Sequence, residues 1–204
     1  RGKAVLSIPN PIDTKVYHPM DQGMARELLG LPSGKRLLLF GALNVTDKRK
    51  GIDYLIEALR RMEKQDVELV VFGQVKDDIR GLFPVPIHSM GYLSDESKIV
   101  ALYNAVDMFI TSSLEENLPN TIMESMACGT PCVGFEIGGI PEMIDHRVNG
   151  YVANYKDAGD LANGIQWVLE HEDRLALSDA CVKKVQENYT EEVVAKQYTA
   201  LYEK

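Results

Sequence analysis

Two glutamates, Glu116 and Glu124, stand eight residues apart where an apolar run gives way to a helical pattern. Pro119 between them suits the first position of a helix, since its missing N–H is not needed there. Glu116 is therefore expected just before a helix N-terminus, and Glu124 in the second turn of that helix. Helix N-termini bind phosphate through unpaired N–H groups, and carboxylates accept hydrogen bonds from sugar hydroxyls. The pattern fits a site for a phosphorylated, hydroxyl-rich ligand, and a solvated acidic loop fits these two residues equally well.

A basic loop follows the first predicted strand. Lys50 can neutralise a diphosphate there, and Gly51 lets the backbone come close to a ligand. Gly138 and Gly139, which follow a later strand, allow the same close approach. A solvated loop and a plain surface turn are the alternatives for these two segments. The chain has no P-loop pattern and no Gly-x-Gly-x-x-Gly fingerprint after its first strand, which disfavours a nicotinamide-dependent dehydrogenase.

Apolar runs alternate with helical patterns along most of the chain. Strands are predicted at residues 36–41, 67–73, 85–91, 107–111 and 131–135 and around 151–152. Helices are predicted at residues 52–62, after an N-cap at Ser94, and at residues 119–127, 157–171, 173–188 and 191–203. Residues 8–13 are expected to form an extended connection rather than core. This β-α-β order predicts an α/β fold with a doubly wound, parallel, Rossmann-like sheet.

The candidate residues fall at one edge of that sheet. Ligands of doubly wound sheets bind beyond the carboxyl ends of the strands. The residues predicted at these ends, or in the loops that follow them, are Gly41, Lys50, Gly73, Gly91, Ser112, Ser113, Glu116 and Gly139. We therefore expect them to contribute to one site.

Composition disfavours several classes of function. Of the 204 residues 45% are hydrophobic, as in a globular protein, and the net charge of -8 argues against a nucleic-acid surface. No apolar run approaches the roughly 20 residues that cross a bilayer. Cys128 and Cys132 have no second pair of ligands to complete a zinc site. The three cysteines, an odd and small number, favour a reducing compartment, and we expect them to be core residues. Because the chain opens on Arg1, we expect it to be a piece of a longer protein.

Several segments, in their order and spacing, resemble the nucleotide-sugar-binding half of family-4 retaining glycosyltransferases, which have the GT-B fold. These segments are residues 8–13, 49–51, 90–94, 116–131, 138–142, 149–151 and 189–191. The resemblance runs from Ile8 to the end of the chain. It implies that residues 1–20 connect to a missing N-terminal acceptor domain and that residues 21–188 bind the nucleotide sugar. The helix within residues 189–204 is expected to pack toward the missing domain.

The resemblance also implies a role for each candidate residue. Glu124 accepts hydrogen bonds from the ribose diol, Glu116 holds hydroxyls of the donor sugar, and Lys50 neutralises the diphosphate. Glu116 and Lys50 are thus the catalytic candidates. The other donor-binding candidates are Asn117, Leu118, Pro119 and Asn120 at the sugar and distal phosphate, Tyr92 and Leu93 near the base, and Gly41, Arg49 and Gly139.

One position departs from the family pattern. The family commonly has an arginine directly after the glycine that ends the first strand, and here that position is Ala42. The loop is also longer than in the family. We therefore expect Arg49 or Lys48 to supply the second positive charge.

The implied function is transfer of a sugar from a UDP- or GDP-linked donor to a glycan or lipid-linked acceptor, with retention of configuration. A helix N-terminus and Lys50 can stabilise the departing diphosphate without a metal, and we expect no metal or other cofactor. The acceptor is held largely by the missing domain, so this chain alone should bind donor but transfer poorly or not at all. A nucleotide-sugar epimerase of the same fold and a non-catalytic binding module are the alternatives. We expect the full-length protein in the cytoplasm, and peripheral attachment to a membrane surface stays open.

Overall fold

A six-stranded parallel sheet forms the centre of the fold. The computed structural model describes residues 7–44, 47–62, 66–74 and 81–203, with residues 42–44 as backbone. The strands are β1 (Arg36–Asn44), β2 (Val67–Gln74), β3 (Ile87–Gly91), β4 (Met108–Thr111), β5 (Cys132–Phe135) and β6 (Gly150–Ala153). Their order across the sheet is β3-β2-β1-β4-β5-β6, and every neighbouring pair is parallel. This is the doubly wound α/β arrangement that the sequence predicts.

Helices pack on both faces of the sheet. They are α1 (Gln22–Leu29), α2 (Ile52–Arg61), α3 (Glu96–Ala105), α4 (Asn120–Ala127), α5 (Ile140–Met143), α6 (Ala158–Leu169), α7 (Arg174–Asn188) and α8 (Glu191–Tyr202), with a 3₁₀ helix at Lys48–Lys50. Alternate side chains of a strand point to opposite faces. Leu38 and Phe40 of β1 accordingly share a core with α2 and α6, while Leu37 and Leu39 share the other core with α1, α3 and α4. A strand that is apolar throughout is thereby buried on both faces.

The first strand is longer than predicted. β1 continues through Asn44, so Gly41 lies inside the strand and the prediction that it ends the strand is wrong. A Cβ atom at Gly41 would lie 1.8 Å from the ring of Phe72. The glycine therefore makes room for a neighbouring side chain of the protein.

Two helix starts differ from the prediction by one residue. The N-cap of α3 is Asp95, whose carboxylate accepts a hydrogen bond from the Ser97 N–H at 3.0 Å, and not Ser94. Pro119 is the N-cap of α4 rather than its first helical residue. With α4 beginning at Asn120, Glu124 still lies in the second turn of this helix, as predicted.

The region before β1 carries structure that the sequence did not indicate. Helix α1 begins at the cap Asp21 and ends at Gly30, which has a left-handed φ of 66°. Ile12 is buried in the core, and its N–H donates to the carbonyl oxygen of Tyr189 at 2.8 Å. The expectation that residues 8–13 stay outside the core is therefore wrong at Ile12. Helix α5 and the 3₁₀ helix were also not predicted.

The three cysteines are buried, as expected, and all three are free thiols. Burial raises the pKa of the Cys128 and Cys132 thiols to about 12, so both stay protonated near neutral pH. No helix within the described ranges is both long enough and apolar enough to cross a bilayer.

Candidate functional site

The segments that follow β1 and β4 meet in the crevice between these two strands. β1 and β4 are neighbours in the sheet although β2 and β3 come between them in sequence, and open sheets bind ligands at such a switch point. The Leu114 N–H donates to the Arg49 carbonyl oxygen at 2.7 Å, and Ser112 Oγ donates to the Lys50 carbonyl oxygen at 2.9 Å. Gly51 has a φ of 62°, and a Cβ atom there would lie 1.9 Å from the Ser112 carbonyl oxygen. The close approach that requires this glycine is to another loop of the protein.

The segment after β5 joins the same cluster of loops. The Gly139 N–H donates to the Asn117 carbonyl oxygen at 2.6 Å. A Cβ atom at Gly138, whose φ is 54°, would lie 2.0 Å from the Glu116 carbonyl oxygen. A Cβ atom at Gly139 would lie 2.5 Å from the Leu118 side chain. These glycines fix the position of residues 116–118, a role that differs from the predicted approach to a ligand.

Lys50 and Glu116, the two catalytic candidates, form an ion pair across the crevice. Lys50 Nζ lies 2.5 Å from Glu116 Oε1, and the two side chains are 32% and 15% exposed. The residues that line the open cavity around this pair are Arg49, Lys50, Glu115, Glu116 and Asn117. Its volume is about 400 Å³, which suits a small polar ligand.

The neighbouring cations are arranged differently from Lys50. Arg49 Nη2 donates to Asp47 Oδ2 at 2.7 Å, and the Arg49 Nε–H also faces this carboxylate. These hydrogen bonds hold the pKa of Asp47 down to about 2. Lys48 is exposed. Whether Arg49 or Lys48 replaces the family arginine stays a prediction.

Helix α4 begins beside the ion pair. No side chain among the described residues caps its N-terminus at Pro119. Asn120, its first residue, accepts a long hydrogen bond from Asn10 Nδ2 on its side-chain oxygen, at 3.5 Å. Leu118, just before the helix, packs against the core. The N-terminus of α4, four residues after Glu116, carries the partial positive charge that helix N-termini have.

Glu124 lies on α4 outside the lining of that cavity, in an environment of its own. Tyr103 of α3 donates its hydroxyl to Glu124 Oε2 at 2.8 Å. Burial raises the pKa of Glu124, the Tyr103 hydrogen bond lowers it, and the charge of Glu96 raises it again. Burial and the Glu124 charge also raise the pKa of the Tyr17 hydroxyl. Glu124 is thus a half-buried carboxylate with one oxygen already bound.

Three other candidates, Tyr92, Leu93 and Gly41, lie outside the lining of this cavity. Tyr92 directly follows β3 and is 64% exposed, and Leu93 is partly buried against the core. β3 is an edge strand of the sheet, separated from β1 by β2. Gly41 packs against Phe72, as described above. None of these residues lines the cavity at Lys50 and Glu116.

Three residues near the candidate site were not assigned to it from the sequence. Tyr103 has a buried ring, and its hydroxyl donates to Glu124. Tyr17 and Asn10 come from the segment before α1, which was regarded as a connection only. A buried tyrosine needs a hydrogen-bond partner, so Tyr103 offered a signal. Its partner on another helix could not be named from sequence spacing.

Two further features bear on the site. Within the described residues, no three or more His, Cys, Asp or Glu side chains are grouped so that they could hold a metal ion. A smaller cavity of about 240 Å³ lies at the opposite edge of the sheet, beside Asp107 and Arg174. The candidate residues lie instead at the carboxyl ends of the strands. The cavity at Lys50 and Glu116 is the candidate site because it holds these charged groups and lies at the switch point of the sheet.

Comparison with known proteins identifies the family. The model of the family described as glycosyl transferases group 1 matches residues 34–171. The chain belongs to this family. The match includes the ion pair, the start of α4 and Glu124, and it begins just before β1.

Three known proteins show how far the relationship extends. N-acetyl-alpha-D-glucosaminyl L-malate synthase of Bacillus anthracis is 25% identical over 98% of this chain and 54% of its own length. The structure of sucrose-phosphate synthase from Thermosynechococcus elongatus superposes with a TM-score of 0.80 at 25% identity, over 96% of this chain and 51% of that one. Anabaena HepE in complex with UDP gives a TM-score of 0.82 at 22% identity, over 96% and 56%. The predicted fold, one Rossmann-like half of a GT-B glycosyltransferase, is confirmed, and the chain spans about half the length of these relatives.

Proposed function

We propose that the chain is the donor-binding domain of a retaining, metal-independent glycosyltransferase of the family-4 type. Its donor is a UDP- or GDP-linked sugar, and its acceptor is a glycan or a lipid-linked glycan. The observation that carries the proposal is the Lys50–Glu116 ion pair beside the N-terminus of α4, at the switch point of the sheet. A cation and a helix N-terminus match the diphosphate of such a donor, and a carboxylate matches its sugar.

The diphosphate is the part that Lys50 and α4 suit. An ammonium group is a compact charge that pairs with phosphate oxygens, and helix N-termini bind anions through their N–H groups. The Lys50 side chain is 32% exposed, so its amine can turn from Glu116 to a ligand in the cavity. The backbone of residues 117–120 would then meet the sugar and the distal phosphate.

Glu116 suits the sugar because an ionised carboxylate accepts hydrogen bonds and donates none. When a diphosphate takes Lys50 away, sugar hydroxyls can replace the ammonium group as the donors to Glu116. The same ligand therefore compensates both partners of the broken pair. Because Glu116 holds hydroxyls in this proposal, it needs no role as a general base.

The nucleoside would extend from the diphosphate toward α3 and β3. Glu124 would accept hydrogen bonds from the ribose diol, and the base would lie near Tyr92 and Leu93 after β3. The exposed position of Tyr92 leaves room for a flat ligand. The Anabaena HepE structure, which shares this fold, contains UDP, and this supports testing uridine nucleotides first.

The reaction breaks the bond between the anomeric carbon and the diphosphate oxygen. The bonding electron pair leaves with the diphosphate, and the sugar becomes oxocarbenium-like. Lys50 and the N-terminus of α4 would stabilise the departing negative charge, the main electrostatic task in such a transfer. Glu116 would orient the sugar for attack by the acceptor hydroxyl.

The whole protein is proposed to have a second domain that holds the acceptor. Residues 1–20 would lead from that domain, residues 21–188 would bind the donor, and the helix in residues 189–204 would pack back toward the first domain. We also propose a cytoplasmic location, because three buried, unbonded cysteines fit a reducing compartment.

A thermal-shift panel of UDP-, GDP- and ADP-sugars tests the proposal. We expect one nucleotide class to raise the melting temperature, with stabilisation growing as the logarithm of ligand concentration. Lys50→Ala should strongly reduce the shift, and Lys183→Ala, at an exposed lysine of α7 that does not line the cavity, is the control. A panel in which no nucleotide sugar shifts the wild-type chain would contradict the proposal.

A further inference from the structure

Tyr103 fixes one of the two carboxylate oxygens of Glu124. Its hydroxyl donates to Oε2 at 2.8 Å, which leaves Oε1 for other donors. The Tyr103 side chain is buried, and its ring packs edge-to-face against Phe72 and Phe109, with ring centroids 6.3 and 6.0 Å apart. The Tyr103 carbonyl oxygen also accepts a hydrogen bond from Thr130 Oγ1 at 2.7 Å. The hydroxyl is therefore held in place by packing and by the backbone.

A fixed carboxylate binds a ligand at a lower entropic cost than a mobile one. A glutamate side chain loses rotamer freedom when it is ordered, and this loss costs free energy. Helix α4 fixes the backbone of Glu124, and Tyr103 on α3 fixes the carboxylate end. Part of this cost is then met during folding rather than during binding.

We propose that Tyr103 is a positioning residue that presents Glu124 Oε1 to the two hydroxyls of the ribose. Tyr103 acts through Glu124 and touches no ligand itself. The inference rests on the proposed function, because it takes the ribose diol as the ligand of Glu124. It adds a residue on α3 to a site whose other groups come from loops and from α4.

The groups that face Glu124 set its charge. Glu96 at the start of α3 is an exposed carboxylate, and Tyr17 and Cys128 are the other titratable neighbours. Burial raises the pKa of Tyr17 and of Cys128, so both are neutral in the acid and neutral range. Burial also raises the pKa of Glu124, and the Tyr103 hydrogen bond opposes that rise. Tyr103 therefore favours the ionised form of Glu124, which accepts hydrogen bonds best.

The test compares UDP with 2′,3′-dideoxy-UDP, which lacks the diol, by calorimetry on wild type and Tyr103→Phe. The variant keeps the buried ring and removes the hydroxyl. We expect UDP to bind about tenfold more weakly to the variant, a change of about 1.4 kcal/mol, and dideoxy-UDP to bind equally to both proteins. The guanosine pair replaces the uridine pair if GDP-sugars alone shift the melting temperature.

Tyr151→Phe is the matched control, because it removes the hydroxyl of another buried tyrosine that donates to a carboxylate. Tyr151 bonds Asp160 Oδ1 at 2.8 Å, away from α4. We expect this variant to bind UDP and dideoxy-UDP as wild type does. A purely structural role of Tyr103 would weaken both ligands together.

Two further readouts distinguish positioning from packing. Tyr103→Phe should raise the pH at which UDP affinity falls, because Glu124 loses a donor that lowers its pKa. In a Glu124→Ala background, Tyr103→Phe should change UDP affinity no further.

Two outcomes would overturn this inference alone. One is equal weakening of both ligands by Tyr103→Phe, and the other is an unchanged UDP affinity in Tyr103→Phe although Glu124→Ala weakens it. Failure of wild type to bind either nucleotide would overturn the proposed function as well.

Discussion

Lys50 and Glu116 serve as each other's partner when no ligand separates them. A nucleoside diphosphate that recruits Lys50 leaves Glu116 without its cation, and half-buried charges are costly to leave unpaired. A nucleotide sugar brings hydroxyls that restore the hydrogen bonds. The pair is thus expected to favour the complete donor over the product diphosphate.

Glu116→Gln tests this preference. The amide has no charge to lose, so we expect UDP to bind at least as well as to wild type, while the extra affinity for the UDP-sugar over UDP falls about tenfold, or about 1.4 kcal/mol. Calorimetry with both ligands measures the ratio. Glu115→Gln is the control, since this exposed neighbour lines the same cavity. Equal weakening of both ligands by Glu116→Gln would argue against contact with the sugar.

The pKa of Glu124 predicts how binding depends on pH. Burial raises it above its ordinary value of about 4.5, so protonation begins at a higher pH than in an exposed glutamate. UDP affinity should fall as the pH drops through this raised pKa. The stability effect has the opposite sign: the folded state binds this proton more tightly than the unfolded state, so protonation stabilises the fold.

Glu124→Gln should remove most of this pH dependence, and Glu96→Gln should move the fall in affinity to lower pH, because the Glu96 charge raises the Glu124 pKa. Titration of UDP between neutral pH and the onset of acid unfolding measures the profile. An unchanged profile in Glu124→Gln would assign the dependence to another group.

At the scale of elements, glycines decide how closely the loops around the site approach. Gly138 combines a left-handed φ of 54° with a Cβ position 2.0 Å from the Glu116 carbonyl oxygen. Gly30 has a similar φ of 66°, but no atom lies within 4 Å of its Cβ position. An alanine at Gly30 would therefore add backbone strain alone, and an alanine at Gly138 would add both strain and a steric clash.

We expect Gly30→Ala to cost about 1–2 kcal/mol of unfolding free energy from strain alone. Gly138→Ala should cost clearly more, because the segment that carries Glu116 must also move. Urea unfolding measures the two costs, and calorimetry should show weaker nucleotide-sugar binding only for Gly138→Ala. Equal costs and equal binding would mean that the contact between these loops does not position Glu116.

The sheet could be predicted from the sequence largely because its strands are apolar runs buried on both faces. The predicted strand order placed Lys50 and Glu116 at the same edge of the sheet. It did not predict that their side chains form an ion pair. The predicted end of β1 at Gly41 was wrong. That glycine is required by the ring of Phe72 on the neighbouring strand, a contact that local sequence does not reveal. The Tyr103–Glu124 hydrogen bond joins two helices, and its partner was not apparent from spacing. Local pattern thus gave the elements, and tertiary packing set the details of the site.

At the scale of the molecule, the chain spans about half the length of these relatives. Helix α8 buries Val194 and leaves Tyr198, Leu201 and Tyr202 exposed. We propose that this end of the helix packs against the acceptor-holding domain. Large exposed side chains grouped at one helix end fit such a contact.

The proposed two-domain division predicts that this chain alone does not transfer sugar. We expect no glycosylated product when the chain is incubated with a nucleotide sugar and acceptors, although the donor binds. Mass spectrometry of the products, with the full-length protein as the positive control, measures this. Sugar transfer by the chain alone would contradict the division into two domains.

The most direct test of the donor site is calorimetric titration of the chain with UDP and GDP. We predict binding of at least one of them below millimolar concentration. Lys50→Ala and Glu124→Ala should each weaken it about tenfold or more, or by at least about 1.4 kcal/mol, and Lys183→Ala on α7 should leave it nearly unchanged. Absence of binding at millimolar concentration, or full binding by both Lys50→Ala and Glu124→Ala, would contradict the assignment of the site.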